Sequence, residues 1–324
     1  MVFAGLDRGT KAERSHGRPH RPGAPAERPV ALETFLLKRI IAGTKLAFGL
    51  HRPGRNLVVL PDDVFIVSYP KSGNTWTRFL IGNLIHPQSP VDFSNINLII
   101  PDPEGLSKRQ LARMPRPRYI KSHQYFDPRY PKIIYVVRDP RDVALSQYHF
   151  HRKRKLLQDG ASVEQFVSRF VAGKTSPYAS WGENVASWMA TRSDRPGFLL
   201  LRYEDMVVNT TRELAEVAHF LGIQASKERL AQAVARSSAH EMRKLEEKQA
   251  LLWSSTKETR QDVPFVRAAK PGGWKTELPE ISVREIEGAW AGLMKSLGYQ
   301  LCFDEEHARA RYEESDAKLG RVLR

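Results

Sequence analysis

Residues 64 to 85 read VFIVSYPKSGNTWTRFLIGNLI. The apolar run VFIVSY is as short as a buried strand and enters a Pro/Gly/Ser turn, after which TWTRFLIGNLI repeats apolar residues at helical spacing. The stretch reads as strand, loop and helix. In the loop, SYPKSGNTW at 68 to 76 puts Gly73 just before a helix opening at Asn74 and Thr75. Such a loop aims successive backbone N–H groups, and the positive end of the helix dipole, at one anion. Lys71 adds a full charge, and Ser72 and Thr75 add hydroxyl donors. The pattern is not the Walker A sequence GxxxxGK[ST], where Lys follows the second Gly and precedes the Ser/Thr that binds magnesium. That disfavours a kinase or NTPase. An ordinary polar turn before a helix would leave Lys71 merely solvated.

Outward from this stretch, RYIKS (118 to 122), KIIYVVR (132 to 138) and FLLLRY (198 to 203) have the same short apolar character, with amphipathic helical stretches separating or following them. Strands alternating with helices predict an α/β fold, a parallel sheet flanked by helices. Beyond residue 210 the pattern is mostly helical, with an irregular stretch near 253 to 280 and a core helix near 282 to 297. The domain is expected over 60 to 300, followed by a charged tail over 301 to 324. Residues 1 to 30, rich in Pro, Gly and Arg, bury too little to offset the entropy of ordering and are expected to be a disordered tail. Residues 31 to 50 place Leu32, Phe35, Leu36 and Ile40 at helical spacing among Lys38, Arg39 and Lys45. This predicts an amphipathic helix packed on the domain, with a weak membrane-surface contact through 32 to 50 as the alternative.

The 324 residues, 41% of them hydrophobic, suffice for a large core. The formal charge of +15 favours anionic partners: nucleotides, nucleic acids or acidic membrane surfaces. The single cysteine, Cys302, has no internal partner and reads as a small buried hydrophobe. No stretch approaches the roughly 18 apolar residues that cross a bilayer, and no basic-then-apolar leader opens the chain, so a cytoplasmic location is expected.

Two further segments carry chemistry. In VVRDPRDVALSQYHF, 136 to 150, a buried-type strand ends in Arg138 and a helix begins near Asp142. Ligands of α/β sheets sit outside the carboxyl ends of strands, so Arg138 and the Ser72 loop are expected at one crevice. The planar guanidinium suits a terminal phosphate, and an ion pair with Asp139 or Asp142 is the competing role. In KSHQ, 121 to 124, Lys121 and His123 project from another strand end, where a base for a hydroxyl acceptor would be needed.

Together and in this order, these segments resemble the cytosolic-type sulfotransferases, which use 3′-phosphoadenosine 5′-phosphosulfate (PAPS). SYPKSGNTW is similar to that family's 5′-phosphosulfate loop, KSH to its catalytic-histidine segment and RDPRDVALSQYHF to its 3′-phosphate segment. The similarity continues through YASWGENVASW (178 to 188), LRYEDM (201 to 206), SSAHEM (237 to 242) and FVRAAKPGGWK (265 to 275). The resemblance implies a P-loop-NTPase-like sulfotransferase fold in which Lys71, Ser72, Gly73, Asn74 and Thr75 wrap the phosphosulfate. It implies that Trp76 and Tyr203 lie against the adenine, that Arg138, Ser146 and Arg267 hold the 3′-phosphate, and that Ser237, Ser238 and Met242 cover the nucleotide. Core packing is the competing role for Trp76, Tyr203 and Trp274. The implied catalytic groups are His123 as base and Lys71 at the leaving oxygen, with Lys121 and Ser146 orienting the sulfate, and no metal.

The sequence departs from the family pattern in three places. Arg267 is followed by Ala268 and Ala269 rather than Lys-Gly, leaving Lys270 as the substitute cation. Ala239 stands where the family stacks an aromatic ring on the adenine. KTELPEISVRE does not match the dimerisation pattern Lys-x-x-x-Thr-Val-x-x-x-Glu, which leaves the oligomeric state open. The expected acceptor is a hydroxyl, or an amine, of a small molecule, lipid or carbohydrate, shaped by residues 86 to 116, 152 to 180 and parts of 240 to 265. A nucleotide or nucleic-acid binding protein without this activity is the competing reading, from the charge and the run HRKRK at 151 to 155. No RNP or zinc-finger signature accompanies that run. Phosphoryl transfer on the same fold is the other competing reading.

Overall fold

The expected strands form as β1 (Val64–Ser68), β2 (Tyr119–Ser122), β3 (Lys132–Val137) and β4 (Phe198–Arg202). All pair in parallel, in the order β2-β1-β3-β4. The structure is a computed structural model that describes residues 57–103, 108–253, 256–267 and 269–303. The expected tail over 1 to 30, the helix over 31 to 50 and residues 304 to 324 lie outside them.

Alternation explains why these strands read as unbroken apolar runs. Val64 and Ile66 of β1 and Ile134 and Val136 of β3 pack with Leu80, Ile81, Leu84, Leu214, Val217 and Leu230 on one side of the sheet. Phe65, Val67, Ile133, Tyr135 and Val137 pack with Val143, Phe166, Trp181, Trp188 and Ile286 on the other. A sheet covered on both faces needs an apolar residue at every position. The helices that supply these layers include α1 (Asn74–Ile85), α2 (Pro140–Lys153), α3 (Trp181–Arg192) and, beyond α4 (Ala239–Gln249), which packs instead with Phe79, Phe93 and Trp253, α5 (Glu280–Ser296).

Local chemistry sets where the helices start. Asp139 caps α2 by accepting the Arg141 N–H, with Pro140 in the first turn, so the helix begins a little before the expected Asp142. Ser180 and Glu183 form a reciprocal capping box on α3. Residues 301 to 303, assigned to the charged tail, instead pack on the domain: the Cys302 and Phe303 N–H groups donate to Glu287. Cys302 is half-buried there.

Candidate functional site

Because β1, β2 and β3 are parallel, their carboxyl ends open on one edge. The register pairs Val67 with Ser122 and Ser68 with Val136, so the loop after β1, His123 after β2 and Arg138 after β3 emerge side by side. They face a cavity of about 840 Å³. Among the expected site residues, Lys71, Gly73, Asn74, Thr75, Trp76, Lys121, His123, Arg138, Ser146, Tyr203, Met242, Arg267 and Lys270 line it.

The loop after β1 is held in an unusual backbone shape. Lys71 has φ 72° and Gly73 φ 103°. A Cβ at Gly73 would come within 2.6 Å of the Tyr203 ring, so glycine is required by conformation and by space. The Asn74 amide donates back to the Ile66 carbonyl (3.1 Å) and Ser68 Oγ (3.2 Å), tying the helix start to the strand that feeds it. Lys71 Nζ lies 4.3 Å from the ring centroids of both Phe150 and Phe265. Burial, with Arg138 and Arg267 nearby, lowers its pKa to about 7.

His123 Nδ1 lies 2.7 Å from the Ser68 carbonyl. A carbonyl only accepts, so Nδ1 carries the proton and Nε2 keeps its lone pair. Burial, with Lys121 beside it, lowers the imidazole pKa to about 3. The ring is thus neutral at ordinary pH. Lys121 is ion-paired with Asp102, and Asp102 also lines the cavity.

Two opposed titrations follow. Neutral His123 is already the base form, so kcat/KM for an anionic donor should not fall as pH drops through 6.5. Lys71 must be cationic to hold an anion, so kcat/KM should decline as pH rises through about 7. A pH–rate profile with an acid limb near 6.5 would contradict this geometry.

Arg138 crosses the Tyr203 ring at 4.3 Å and reaches the carbonyls of Lys71 (3.5 Å) and Lys270 (3.4 Å). Its pairing with Asp142 is long, at 3.6 Å. Asp142 is committed elsewhere, accepting the N–H groups of Gly272 (2.7 Å) and Trp274 (3.1 Å) and so fixing the Gly-rich segment beside the cavity.

The sulfotransferase-domain family profile matches residues 61–298, most of the chain. The bovine (Bos taurus) sulfotransferase 1E1 is 32% identical over 233 residues, covering 67% of this chain and 78% of that protein. The chain belongs to the sulfotransferase family. Mouse (Mus musculus) sulfotransferase 1A1 is 31% identical over 74% of this chain and 87% of its own length. Solved structures agree on the fold. Mouse sulfotransferase SULT7A1, complexed with PAP, has a TM-score of 0.59 at 24% identity, covering 80% of this chain and 90% of its own. Retinol dehydratase, complexed with retinol and PAP, has 0.59 at 23%, covering 77% and 85%.

In this sulfotransferase, three expected site residues do not line the cavity: Ser72, Ser237 and Ser238. Ser72 is fully buried beneath the loop, and its Oγ has no hydrogen-bond partner. Ser237 is equally buried; its carbonyl accepts from Trp76 Nε1 (2.9 Å) and its Oγ from the Asn83 amide (3.1 Å). Ser238 caps α4 by accepting the Glu241 N–H. Ser237 thus stands behind Trp76, and Ser238 starts the helix beside it. Trp274 is buried under the Arg141 guanidinium, 3.8 Å from its ring, which is the packing role. Ala268 lies outside the described residues, whereas Ala239 lines the cavity.

The run HRKRK is not one solvated cationic face. Lys153 is buried, Arg152 pairs with Asp159 at 3.2 Å, and of the run's cations Arg154 alone lines the cavity. Sequence reasoning also missed Asn184, fully buried on α3. Its amide donates to the carbonyls of His123 and Tyr178 (both 3.2 Å), and its Oδ1 accepts from Tyr135 (3.0 Å). Tyr178 is only six residues away, but the links to His123 and Tyr135 cross 61 and 49 residues and carry no local signal.

Proposed function

We propose that this sulfotransferase moves the sulfuryl group of PAPS to a hydroxyl of a small-molecule acceptor and releases adenosine 3′,5′-bisphosphate (PAP). One observation carries the reading: a neutral imidazole with a free Nε2 lone pair and a ring-caged lysine face the same cavity. As the acceptor oxygen attacks sulfur, His123 Nε2 takes its proton. The bond from sulfur to the bridging phosphate oxygen breaks, and Lys71 meets the charge that develops on that oxygen. A cation placed there stabilises the transition state more than the ground state.

The residues present fit the donor. Arg138 Nε is a buried donor without a partner, suited to a phosphate oxygen, and the helix start at Gly73 turns its N–H groups toward the loop. Unpaired buried polar atoms are costly, and a ligand that supplies their partners relieves the cost. Arg138, Ser146, Arg267 and Lys270 hold the 3′-phosphate, and Trp76, Tyr203 and Met242 enclose the adenine. Trp76 and Tyr203 meet edge to face at 5.6 Å. Arg267 also pairs with Glu277 at 3.2 Å, so the phosphate competes with a carboxylate for it.

The acceptor is bounded by Asn97, Asp102, Arg154 and Tyr178, which line the cavity and come from the loops expected to shape it. Tyr178 stands 5.5 Å from His123, ring to ring. These walls suit a small hydroxyl compound with a flat or apolar body and a polar or anionic substituent, a glycosylated one included. Retinol dehydratase, solved with androsterone and with retinol beside PAP, supports a small-molecule acceptor on this fold.

Calorimetry with PAP and AMP tests the donor. The wild-type protein should bind PAP far more tightly than AMP. Arg138→Ala should weaken PAP by about ten- to a hundredfold, the cost of roughly 1.5 to 3 kcal/mol for a lost charge-assisted hydrogen bond, while changing AMP little. Equal wild-type affinity for the two nucleotides would remove the 3′-phosphate site and PAPS with it.

A further inference from the structure

The segment from Arg260 to Arg267 has neither helix nor strand, yet charged side chains of two helices hold its main chain. Lys153, the last residue of α2, is 1% exposed, and its Nζ donates to the carbonyls of Arg260 (2.9 Å) and Val263 (2.5 Å). Glu246, on α4, accepts the N–H groups of Phe265 (2.5 Å) and Val266 (2.8 Å). The two charges lie 3.7 Å apart. Arg243, one turn earlier on α4, donates to the carbonyls of Val266 (3.3 Å) and Arg267 (2.7 Å). Irregular main chain usually satisfies itself with water or turns; here ionised groups do so from within the protein, where leaving either one unpaired is costly.

What these charges hold is the inner wall of the donor site. Phe265 packs on Trp253, 4.8 Å between centroids, and presents its ring to Lys71; Arg267, two residues on, lines the cavity. Lys153 and Glu246 do not line the cavity themselves. We propose that Lys153 and Glu246 are positioning residues for sulfuryl transfer, a buried latch between α2 and α4 that holds residues 260–267 so that Phe265 closes over Lys71 and Arg267 reaches the donor. The proposal rests on the assignment of Lys71 to the leaving phosphate oxygen.

The latch decides how dry Lys71 is. With Phe265 in place the ammonium has ring faces rather than water around it, and cation–π attraction only partly replaces hydration. The charged groups that face Lys71 are Arg138, Arg267 and Lys153, which disfavour its proton, and Glu246, which favours it; His151 also senses it. If the segment loosens, water returns and Lys71 moves back toward an ordinary lysine.

Competitive acetylation of the whole protein, read by mass spectrometry at Lys71 across pH, measures that change without any donor. Lys153→Met and Glu246→Gln should both move the Lys71 midpoint upward from about 7 and lower kcat at least tenfold per PAP-binding site. Through charge alone the two variants would move it in opposite directions, Lys153→Met up and Glu246→Gln down. Opposite shifts, or no shift in either, would overturn the latch. Phe265→Leu leaves both charges and their main-chain bonds in place, so it decides the matter if a latch variant does not fold. It should reproduce the upward shift and the loss of kcat, and an unmoved midpoint there overturns the proposal. If the wild-type protein instead fails to transfer sulfuryl groups while the midpoints shift as stated, the functional assignment falls and the latch stands.

Discussion

His123→Ala should retain PAP binding and lose about 10² to 10⁴ of turnover, the usual contribution of a general base. The imidazole is fixed by its Nδ1–H to the Ser68 carbonyl, which leaves Nε2 as the proton acceptor in the cavity. Among the described residues the ring is linked by hydrogen bonding to those assigned to the nucleotide only through Ser68 Oγ, 3.4 Å from Nδ1 and also an acceptor for the Asn74 amide, so removing it should disturb the donor little. Burial and Lys121 make the free base weak, with a pKa of about 3. Donor anions placed beside it would raise that value, so the base gains strength when the donor is bound. Single-turnover rates and PAP affinity by calorimetry on the same variant check both halves. Near-wild-type kcat would remove His123 from the role.

Lys71→Met should lower kcat by about 10² to 10³, comparable to losing one donor aimed at a developing oxyanion, with a smaller change in KM. Met keeps most of the apolar volume between Phe150 and Phe265, so the cage stays filled and the charge alone is lost. An effect confined to KM would mean that Lys71 binds ground and transition states alike. Steady-state kinetics with saturating acceptor separates the two outcomes. The mechanism would then lack its cation.

The fold and the centre of the site were legible because both are local in sequence. A strand feeding Pro70 to Gly73 and then α1 is one continuous reading, and His123 and Arg138 each follow directly from a strand whose direction the α/β pattern predicts. What stayed hidden is contact between distant segments. The resemblance places Ser237 and Ser238 over the nucleotide; the Ser238–Glu241 cap is readable from its i, i+3 spacing, but the bonds of Ser237 to Trp76 and Asn83 join segments more than 150 residues apart, which no spacing rule links. Lys153 lies in the run HRKRK, whose charge suggests contact with phosphates rather than a buried role. A helical projection held the clue, since Ser146, Phe150 and Lys153 fall at i, i+4 and i+7 on one face of α2. Glu246 offered no such clue, because its partners at 265 and 266 lie beyond the helix end.

Asn184 joins the main chain of His123 to that of Tyr178, and so joins the proposed base to the proposed acceptor wall. The amide has no spare donor with which to let one move without the other. On the proposed assignment, an acceptor too broad for the wall should shift Tyr178 outward and carry the imidazole off line with it, whereas one that fits should leave Nε2 facing its hydroxyl. Discrimination among acceptors should then be expressed as a difference in speed after binding, with an ill-shaped compound occupying the enzyme and behaving as an inhibitor rather than as a weak ligand.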